Sequence, residues 1–190
     1  DMIRVRISKA DFEAGFKFRH LGEVLYAKIK SEFEAVVDKC QVTIVVDADG
    51  YFYFNRLVRD DMFCHGTVIE TAGGGVEPGE ELTTAIRREL KEELGAEVEI
   101  LAEIGTVSDY YNLIHRHNIN HYFLCRATAF GATQMTEDEI HRFHLSTLAL
   151  TYDEAVAEYE RCKNGALGRL IAARELPILR RAKEMLDRMK

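Results

Sequence analysis

The chain has 190 residues, 47% of them hydrophobic and 30% charged, which is ordinary globular composition with enough length to bury one sizeable core. The formal net charge of -7 and the lack of a basic stripe argue against a general nucleic-acid or anionic-membrane binder. No apolar run approaches membrane-spanning length, and four scattered cysteines without a CxxC pair predict reduced thiols in a cytoplasmic protein.

The first part of the chain predicts strands. Residues 3–8, "IRVRIS", alternate apolar and basic side chains and predict a short strand. Residues 24–39 are ambiguous, because the alternation in their first half favours a strand while their alanines and glutamates allow a helix. Two β-rich runs then flank Asp49-Gly50, which predicts a hairpin, and "HGTVIETA" (65–72) predicts a further strand.

The pattern becomes helical from Glu80 to Leu94, where apolar residues recur at three- and four-residue spacing and Gly95 is suited to end the helix. Further strands are predicted at residues 98–108, 121–130 and 140–146. The remainder predicts three helices: one capped by Thr151 with Glu154 and stopped at Asn164-Gly165, one over residues 166–176, and one beginning at Pro177. The predicted architecture is a mixed sheet with helices packed on it, α+β in class.

An acidic cluster stands on the first predicted helix. Glu89, Glu92 and Glu93 converge on one side of that helix, where their charges repel. Taken alone, they favour a solvated face with Arg88 paired to Glu92. The glycines at 73–75 point to another interpretation, because a glycine loop brings backbone oxygens next to the carboxylates. Such a donor set suits a divalent cation such as magnesium, which attracts phosphate oxygens and lowers the pKa of a bound water.

The segment from Gly74 to Ala96 closely resembles the Nudix box of the MutT-like pyrophosphohydrolases. The fixed residues of that motif are all present, and only Ala96 is smaller than the usual closing aliphatic residue. In this sequence the fixed residues are Gly74, Glu80, Arg88, Glu89, Glu92, Glu93 and Gly95, and Leu90 fills the aliphatic position. The resemblance implies a Nudix fold over residues 1–190: an α/β/α sandwich around a mixed sheet, with residues 1–40 as an N-terminal strand appendage and extra C-terminal helices.

The resemblance also implies roles for these residues. Glu89 and Glu93 would be direct ligands of Mg²⁺ or Mn²⁺, with Glu92 a further or water-mediated ligand and the Gly73 carbonyl completing the site. Glu80 and Arg88 would form a buried pair that holds the loop against the helix, with Gly74 and Gly95 supporting the box. The reaction implied is attack of metal-activated water on the diphosphate of a nucleoside diphosphate linked to another group.

Upstream segments are similar to those of ADP-ribose pyrophosphatases. "ETAGG", from Glu70 to Gly74, and "NRLVR", from Asn55 to Arg59, match their glutamate-led and arginine-bearing segments. The likeness implies that Arg56, Arg59 and Glu70 bind substrate. The sequence departs from that group at Ala72, where a proline is usual, and in lacking their proline after the box, since its only prolines are Pro78 and Pro177.

The region after the box offers further candidates. Tyr110 or Tyr111 could stack on a base, although packing of one of them in the core is an equal alternative. A zinc site at His115, His117 and His121 is the less favoured interpretation of that histidine-rich stretch. Among the acids of residues 137–139, Glu139 is the candidate catalytic base by position, and a solvated loop acid explains it at least as well.

Three functional hypotheses follow. The favoured one is a pyrophosphohydrolase acting on an ADP-ribose-like or other ADP-sugar nucleotide. The alternatives are a nucleoside triphosphate pyrophosphohydrolase that cleanses the nucleotide pool and a Nudix module that binds nucleotide without catalysis. The complete set of box residues favours an enzyme. The resemblance further implies a homodimer paired through the N-terminal strands, whose unpaired edges would favour it.

Overall fold

The computed structural model describes residues 37–60, 64–111, 116–141 and 144–189. In chain order the strands and helices are β1 (Val37–Val46), β2 (Phe52–Asp60), β3 (His65–Glu70), β4 (Gly73–Gly75), α1 (Leu82–Leu94), β5 (Ala96–Tyr111), β6 (Arg116–Phe130), α2 (Glu137–His141), β7 (Ser146–Leu150), α3 (Tyr152–Cys162) and α4 (Ala166–Arg188). Among these residues no helix combines the length and apolar character needed to cross a bilayer.

The strands form one mixed sheet in the order β3-β2-β1-β6-β5. The central strand β1 runs parallel to β6, from Val37 opposite His117 to Val46 opposite Arg126, and antiparallel to β2. The short strand β4 pairs with β1, and β7 pairs with β2. The predicted mixed sheet is therefore confirmed.

Helices cover both faces of this sheet. Successive residues of β1 point to opposite sides, so this strand contributes to a hydrophobic core on each face. Val45 packs with Ile86 and Leu90 of α1 on one face. Its neighbours Ile44 and Val46 belong to the core on the other face, which also contains Phe54, Tyr122, Tyr159, Ile171 and Leu179. This second core takes residues from both α3 and α4. The result is the α/β/α sandwich that the family resemblance implied.

Several local predictions are confirmed. The hairpin turns at residues 47–51, where Gly50 has φ +90° and the Asp47 carboxylate accepts the amides of Asp49 and Tyr51. The helix after the box glycines starts at Leu82, two residues later than predicted, and ends at Gly95 with φ +64°. The capping box of Thr151 and Glu154 begins α3 as predicted.

The strand predicted at residues 140–146 is wrong in its first part. Ile140 and His141 belong to α2, and β7 begins only at Ser146. The Glu139 carboxylate accepts hydrogen bonds from both the backbone amide and the hydroxyl of Thr136. These hydrogen bonds start a helical turn before Ile140, which the alternation of apolar residues alone does not reveal.

The helix boundary predicted at Pro177 is also wrong, because α4 runs through that residue without a break. Leu176 before it and Leu179 after it are buried in the same core, together with Ala182. This shared burial outweighs the cost of an interior proline, about 3 kcal/mol relative to alanine. The strands expected at residues 3–8 and within 24–36 lie outside the described residues.

Candidate metal and substrate site

The glycines of β4 allow three parts of the chain to meet. A Cβ on Gly73, whose φ is +146°, would lie 2.4 Å from the Gln41 carbonyl oxygen of β1. A Cβ on Gly74 would lie 2.5 Å from a carboxylate oxygen of Glu89. Glycine is required at Gly73, where the clash is with the backbone of β1, whereas a side chain at Gly74 would displace the Glu89 carboxylate. The close approach brings the Gly73 amide to the carboxylates of α1.

Glu93 is the most deeply buried of these carboxylates, with 9% of its surface exposed. Its Oε2 accepts hydrogen bonds from the Asn55 side-chain amide at 2.7 Å and from the Gly73 backbone amide at 3.0 Å. Burial raises the pKa of Glu93 to about 8, the negative charges of Glu89 and Glu70 add to that effect, and the two hydrogen bonds oppose it. Glu93 is thus held rigidly in a place where its negative charge is poorly compensated.

Arg88 organises the other acids of the box. Its Nε and Nη2 each donate to Glu80 at 3.0 Å, and Nη2 also donates to the Gly75 carbonyl at 3.2 Å. Its Nη1 donates to Glu89 at 2.8 Å and to Glu92 at 3.4 Å. The Glu80 side chain is 11% exposed and that of Arg88 29% exposed. The expected pair does form, and it ties the glycine loop to α1.

The carboxylates do not meet in one cluster. Glu92, whose side chain is 40% exposed, is directed to Arg88, while Glu93 is directed to Asn55 and Gly73. Among the described residues no three His, Cys, Asp or Glu side chains are grouped closely enough to hold a metal ion. The chemistry of the donors nevertheless fits a hard cation. Burial raises the pKa of Glu89 as well, in spite of its contact with Arg88, so a divalent cation would favour the ionised form of both carboxylates.

Glu139 lies within electrostatic range of this group. The loop before α2 is fixed to the end of α1 by two backbone hydrogen bonds, from Gly131 to Gly95 at 2.8 Å and from Gln134 to Glu92 at 2.7 Å. Burial is the main cause of the raised pKa of Glu89, and the contacts with Arg88 oppose it. The negative charges of Glu92 and then of Glu139 raise this pKa further. Its carboxylate accepts from Thr136, so the candidate base also caps a helix.

The two candidate arginines of β2 have different neighbours. Asn55 contacts Glu93, and Glu70 of β3 lies directly opposite Asn55. Arg59 is one of the charges that lower the pKa of Glu70. Arg56 is near Glu158 of α3, whose pKa is lowered mainly by its hydrogen bond with Arg161 and to a smaller extent by Arg56. The structure therefore brings Arg59 near Glu70 and Arg56 near α3.

Glu70 has an unusual environment for an acid. Its pKa is raised by burial first and then by the charge of Glu175, while Arg174 and Arg59 lower it. The nearest atom of Arg174 is 3.9 Å from the Glu70 carboxylate. The charges of opposite sign around Glu70 make it a candidate to contact a ligand at this end of the site.

The remaining candidates lie at the far end of the β5–β6 hairpin. The backbones of Tyr110 and Tyr111 pair with His117 and Arg116, and the predicted stacking concerns side chains outside the described part of the structure. His117 Nε2 lies 2.6 Å from the Ser108 hydroxyl, and His121 Nδ1 lies 3.4 Å from that of Thr106. These two histidines therefore contact hydroxyl groups, and His115 lies outside the described residues.

Sequence reasoning missed Asn55 and Glu175, two residues that hold the site. The signal for Asn55 was available: it interrupts a β-rich run with a side chain that strands disfavour. Glu175 carries no such signal, since an Arg-Glu pair within a helix normally indicates a solvent-exposed face. Its side chain is fully buried and accepts the Thr71 amide at 2.9 Å.

Comparison with known proteins agrees with this geometry. Residues 42–164 match the family model described as NUDIX domain. A NUDIX hydrolase from Nitrosomonas europaea superposes with a TM-score of 0.50 at 16% identity, covering 65% of this chain and 78% of that one. A MutT NUDIX hydrolase from Burkholderia pseudomallei gives 0.50 at 19% identity, covering 62% and 84%. At such identities these likenesses show the fold alone.

The N-terminal residues resemble a different family. Residues 1–50 match the model described as CO dehydrogenase/acetyl-CoA synthase complex beta subunit. The carbon monoxide dehydrogenase/acetyl-CoA synthase subunit alpha of Moorella thermoacetica is 51% identical over 43 residues, which are 23% of this chain. The matched segment spans only 6% of the length of that relative. This second match runs into β1, the central strand of the sheet.

Proposed function

Because the chain belongs to the Nudix hydrolase family, we propose that it is a metal-dependent pyrophosphohydrolase that cleaves the diphosphate of a nucleoside diphosphate linked to another moiety. The observation that carries the proposal is the buried Glu93 carboxylate, held by Asn55 and Gly73 beside Glu89. A carboxyl group in this position costs stability when it ionises, and a bound cation would offset that cost, so its presence favours a bound cation.

The proposed ligands of Mg²⁺ or Mn²⁺ are Glu89 and Glu93, with Glu92 and the Gly73 carbonyl completing the set. When bound, such an ion polarises phosphoryl oxygens and lowers the pKa of a bound water. The chain itself orients the acids: the amides of Asn55 and Gly73 fix Glu93, and Arg88 fixes Glu89 and the glycine loop. Glu139, near Glu89, is the proposed proton acceptor.

We propose an ADP-ribose-like or other ADP-sugar substrate. Arg59, whose charge acts on Glu70, is suited to contact the diphosphate by charge-assisted hydrogen bonds. Glu70, with its raised pKa, is suited to hydrogen-bond a hydroxyl group of the sugar. Tyr110 or Tyr111 is proposed to stack on a ring. Arg56, whose charge also acts on Glu158, is the second proposed contact of the diphosphate.

A panel of substrates tests this function. ADP-ribose, a diadenosine polyphosphate, NADH and dGTP are compared at equal Mg²⁺ concentration by kcat/KM and by identifying the products. We expect the sugar-linked or dinucleotide substrates to lead, because their remote groups supply binding energy that can be used at the reacting centre. A lead for dGTP would replace this proposal with nucleotide-pool cleansing. Binding without hydrolysis of any compound would indicate a non-catalytic module.

Coenzyme A or a thioester of it is a second candidate substrate. The favouring observation is the match of residues 1–50 to a family named for acetyl-CoA synthase. Coenzyme A also meets the chemical requirement, since a diphosphate joins its nucleotide to the thiol-bearing arm. Coenzyme A and acetyl-CoA therefore belong in the same panel, and a kcat/KM above that of ADP-ribose would favour this candidate.

The organisation of the chain is part of the proposal. We propose one Nudix domain over residues 1–190, with residues 1–40 as an appendage. The core supports the inclusion of the C-terminus: α4, which lies beyond the family match, contributes the buried residues Ile171 and Leu179. A homodimer paired through the N-terminal segment and a cytoplasmic location complete the proposal.

A further inference from the structure

A buried network of charged residues joins α4 to β5. Glu175 and Asp109 are both fully buried, and Arg174 is 7% exposed. Arg174 donates to Glu175 at 2.6 Å and to Asp109 at 3.0 Å. The side-chain amides of Asn118 and Asn120 also donate to Asp109, at 2.9 and 3.2 Å. Buried charges persist only when they are paired and hydrogen-bonded in this way.

Glu175 uses its second oxygen outside this network of ion pairs. Its Oε2 accepts the Tyr159 hydroxyl at 2.6 Å and the Thr71 backbone amide at 2.9 Å, a contact between residues 104 positions apart. The Thr71 hydroxyl is buried and has no hydrogen-bond partner among the described residues, so the side chain of Thr71 does not hold this segment. Glu175 therefore fixes the backbone where β3 ends and β4 begins.

Only Ala72 separates Thr71, whose amide Glu175 accepts, from Gly73, whose amide donates to Glu93. The intervening carbonyl of Ala72 accepts the amide and the hydroxyl of Thr43 of β1, each at 2.9 Å. The segment from Thr71 to Gly73 is thus fixed by α4 on one side and by β1 on the other. A shift of Thr71 would be passed to the Gly73 amide, because the backbone between them has little freedom.

We propose that Glu175 is a positioning residue for the metal site, which acts by fixing Thr71 and thereby the Gly73 amide that orients Glu93. This inference rests on the proposed function in taking Glu93 as a metal ligand. By this proposal the C-terminal helix α4, which lies outside the Nudix match, influences the box through Thr71.

The substitution Glu175→Gln tests the proposal with little change of shape. The amide has a single oxygen, and the Arg174 guanidinium attracts it. The NH₂ group then faces the Thr71 amide, so a donor opposes a donor. Arg174 keeps its contact with Asp109, so no buried cation is left unpaired and the variant is expected to fold. If it does not, Glu175→Asp keeps the charge on a side chain one methylene shorter and withdraws the carboxylate from Thr71.

Two control variants separate positioning from chemistry and from stability. Glu184→Gln makes the same chemical change on the same helix, at an exposed residue 3.3 Å from Arg181. Ile171→Val removes one methyl group from a residue of α4 that is 2% exposed, which lowers stability and removes no hydrogen bond of the network. Neither control changes a side chain that is hydrogen-bonded to Thr71.

The first readout is the amide resonance of Gly73 in the metal-free, ¹⁵N-labelled protein. We expect Glu175→Gln to move this resonance in the same direction as Glu93→Gln does, while both controls leave it in place. The second readout is Mn²⁺ affinity by calorimetry, which we expect to fall about tenfold in Glu175→Gln only, as for other outer-shell residues that orient ligands. The third is kcat, which saturating metal should largely restore.

A folded Glu175→Gln variant with the wild-type Gly73 resonance and the wild-type Mn²⁺ affinity would overturn the proposal. Equal losses in Ile171→Val would also overturn it, because they would assign the effect to stability alone. The resonance of Gly73 does not depend on hydrolysis. If the wild-type protein cleaves no compound of the panel, the proposed function is contradicted. The Gly73 resonance then still decides whether Glu175 positions this amide.

Discussion

The substitution Glu93→Gln should stabilise the metal-free protein at pH 8 while leaving its stability at pH 5 nearly unchanged. The glutamine oxygen can still accept from Asn55 and Gly73, which both donate to one carboxylate oxygen in the wild type. The substitution therefore removes the buried charge and keeps the hydrogen bonds. Its effect on stability isolates the cost of ionising Glu93.

That cost follows from the pKa of Glu93, which burial raises from 4.5 to about 8 in the folded state. Below the unfolded value of 4.5 both states hold the proton, and Glu93 costs nothing. As the pH rises towards 8 the unfolded state has released its proton and the folded state has not, so stability falls by about 1.36 kcal/mol per pH unit. Allowing for relaxation around the charge, the loss is about 3 to 5 kcal/mol, and it is complete once the pH exceeds the folded pKa.

Thermal unfolding in EDTA at pH 5, 6, 7 and 8 measures this loss. For a chain of this size, 1 kcal/mol corresponds to roughly 2–4 °C, so Glu93→Gln should melt about 10 °C above the wild type at pH 8. Glu92→Gln is the matched control, since that side chain is 40% exposed and should show no such divergence. Adding Mg²⁺ at pH 8 should raise the wild type towards the variant. A difference between wild type and Glu93→Gln that is constant from pH 5 to pH 8 would refute this reasoning.

The remaining predictions concern the backbone, the box, α4 and assembly. Gly73→Ala should cost more than about 3 kcal/mol and abolish turnover, since its Cβ would meet the Gln41 oxygen at 2.4 Å, whereas Gly75→Ala, with open space around it, should melt like the wild type. Arg88→Lys should lower kcat/KM about tenfold or more, because lysine cannot keep the two-pronged contact with Glu80; an unchanged value would remove the positioning role of Arg88. Pro177→Ala should raise the melting temperature by a few degrees, since proline lacks a helical hydrogen bond, and a lower value would contradict this account of α4. Light scattering at micromolar concentration should give the mass of a dimer, and a monomer mass would reject the proposed pairing.

The parts of the fold that depend on short-range patterns could be predicted from the sequence. The apolar spacing gave the helix that carries Glu89 and Glu93, and Asp49-Gly50 gave the hairpin, because both are set by residues close together in the chain. The pair of Glu80 and Arg88 could be predicted for another reason, because it belongs to a motif of fixed spacing.

Contacts between distant segments could not be predicted in this way. Asn55 reaches Glu93 only because the registers of β1, β2 and β4 place the two side by side, and a single sequence does not reveal those registers. Arg56 and Arg59 looked equivalent in the sequence, but Arg56 lies near Glu158 of α3 and Arg59 near Glu70 of β3. At Pro177 a sound local rule was overridden by burial on both sides of the proline.

The central claim, hydrolysis that depends on a metal held by Glu93, is tested most directly by turnover of the best substrate in the panel. Wild type and Glu93→Gln are compared in Mg²⁺ and in EDTA, with thermal melting measured on the same samples. The account predicts cleavage of the diphosphate only with metal, and a loss of about a hundredfold or more in a folded Glu93→Gln variant. Equal turnover in EDTA, or near-wild-type turnover in the folded variant, would contradict it.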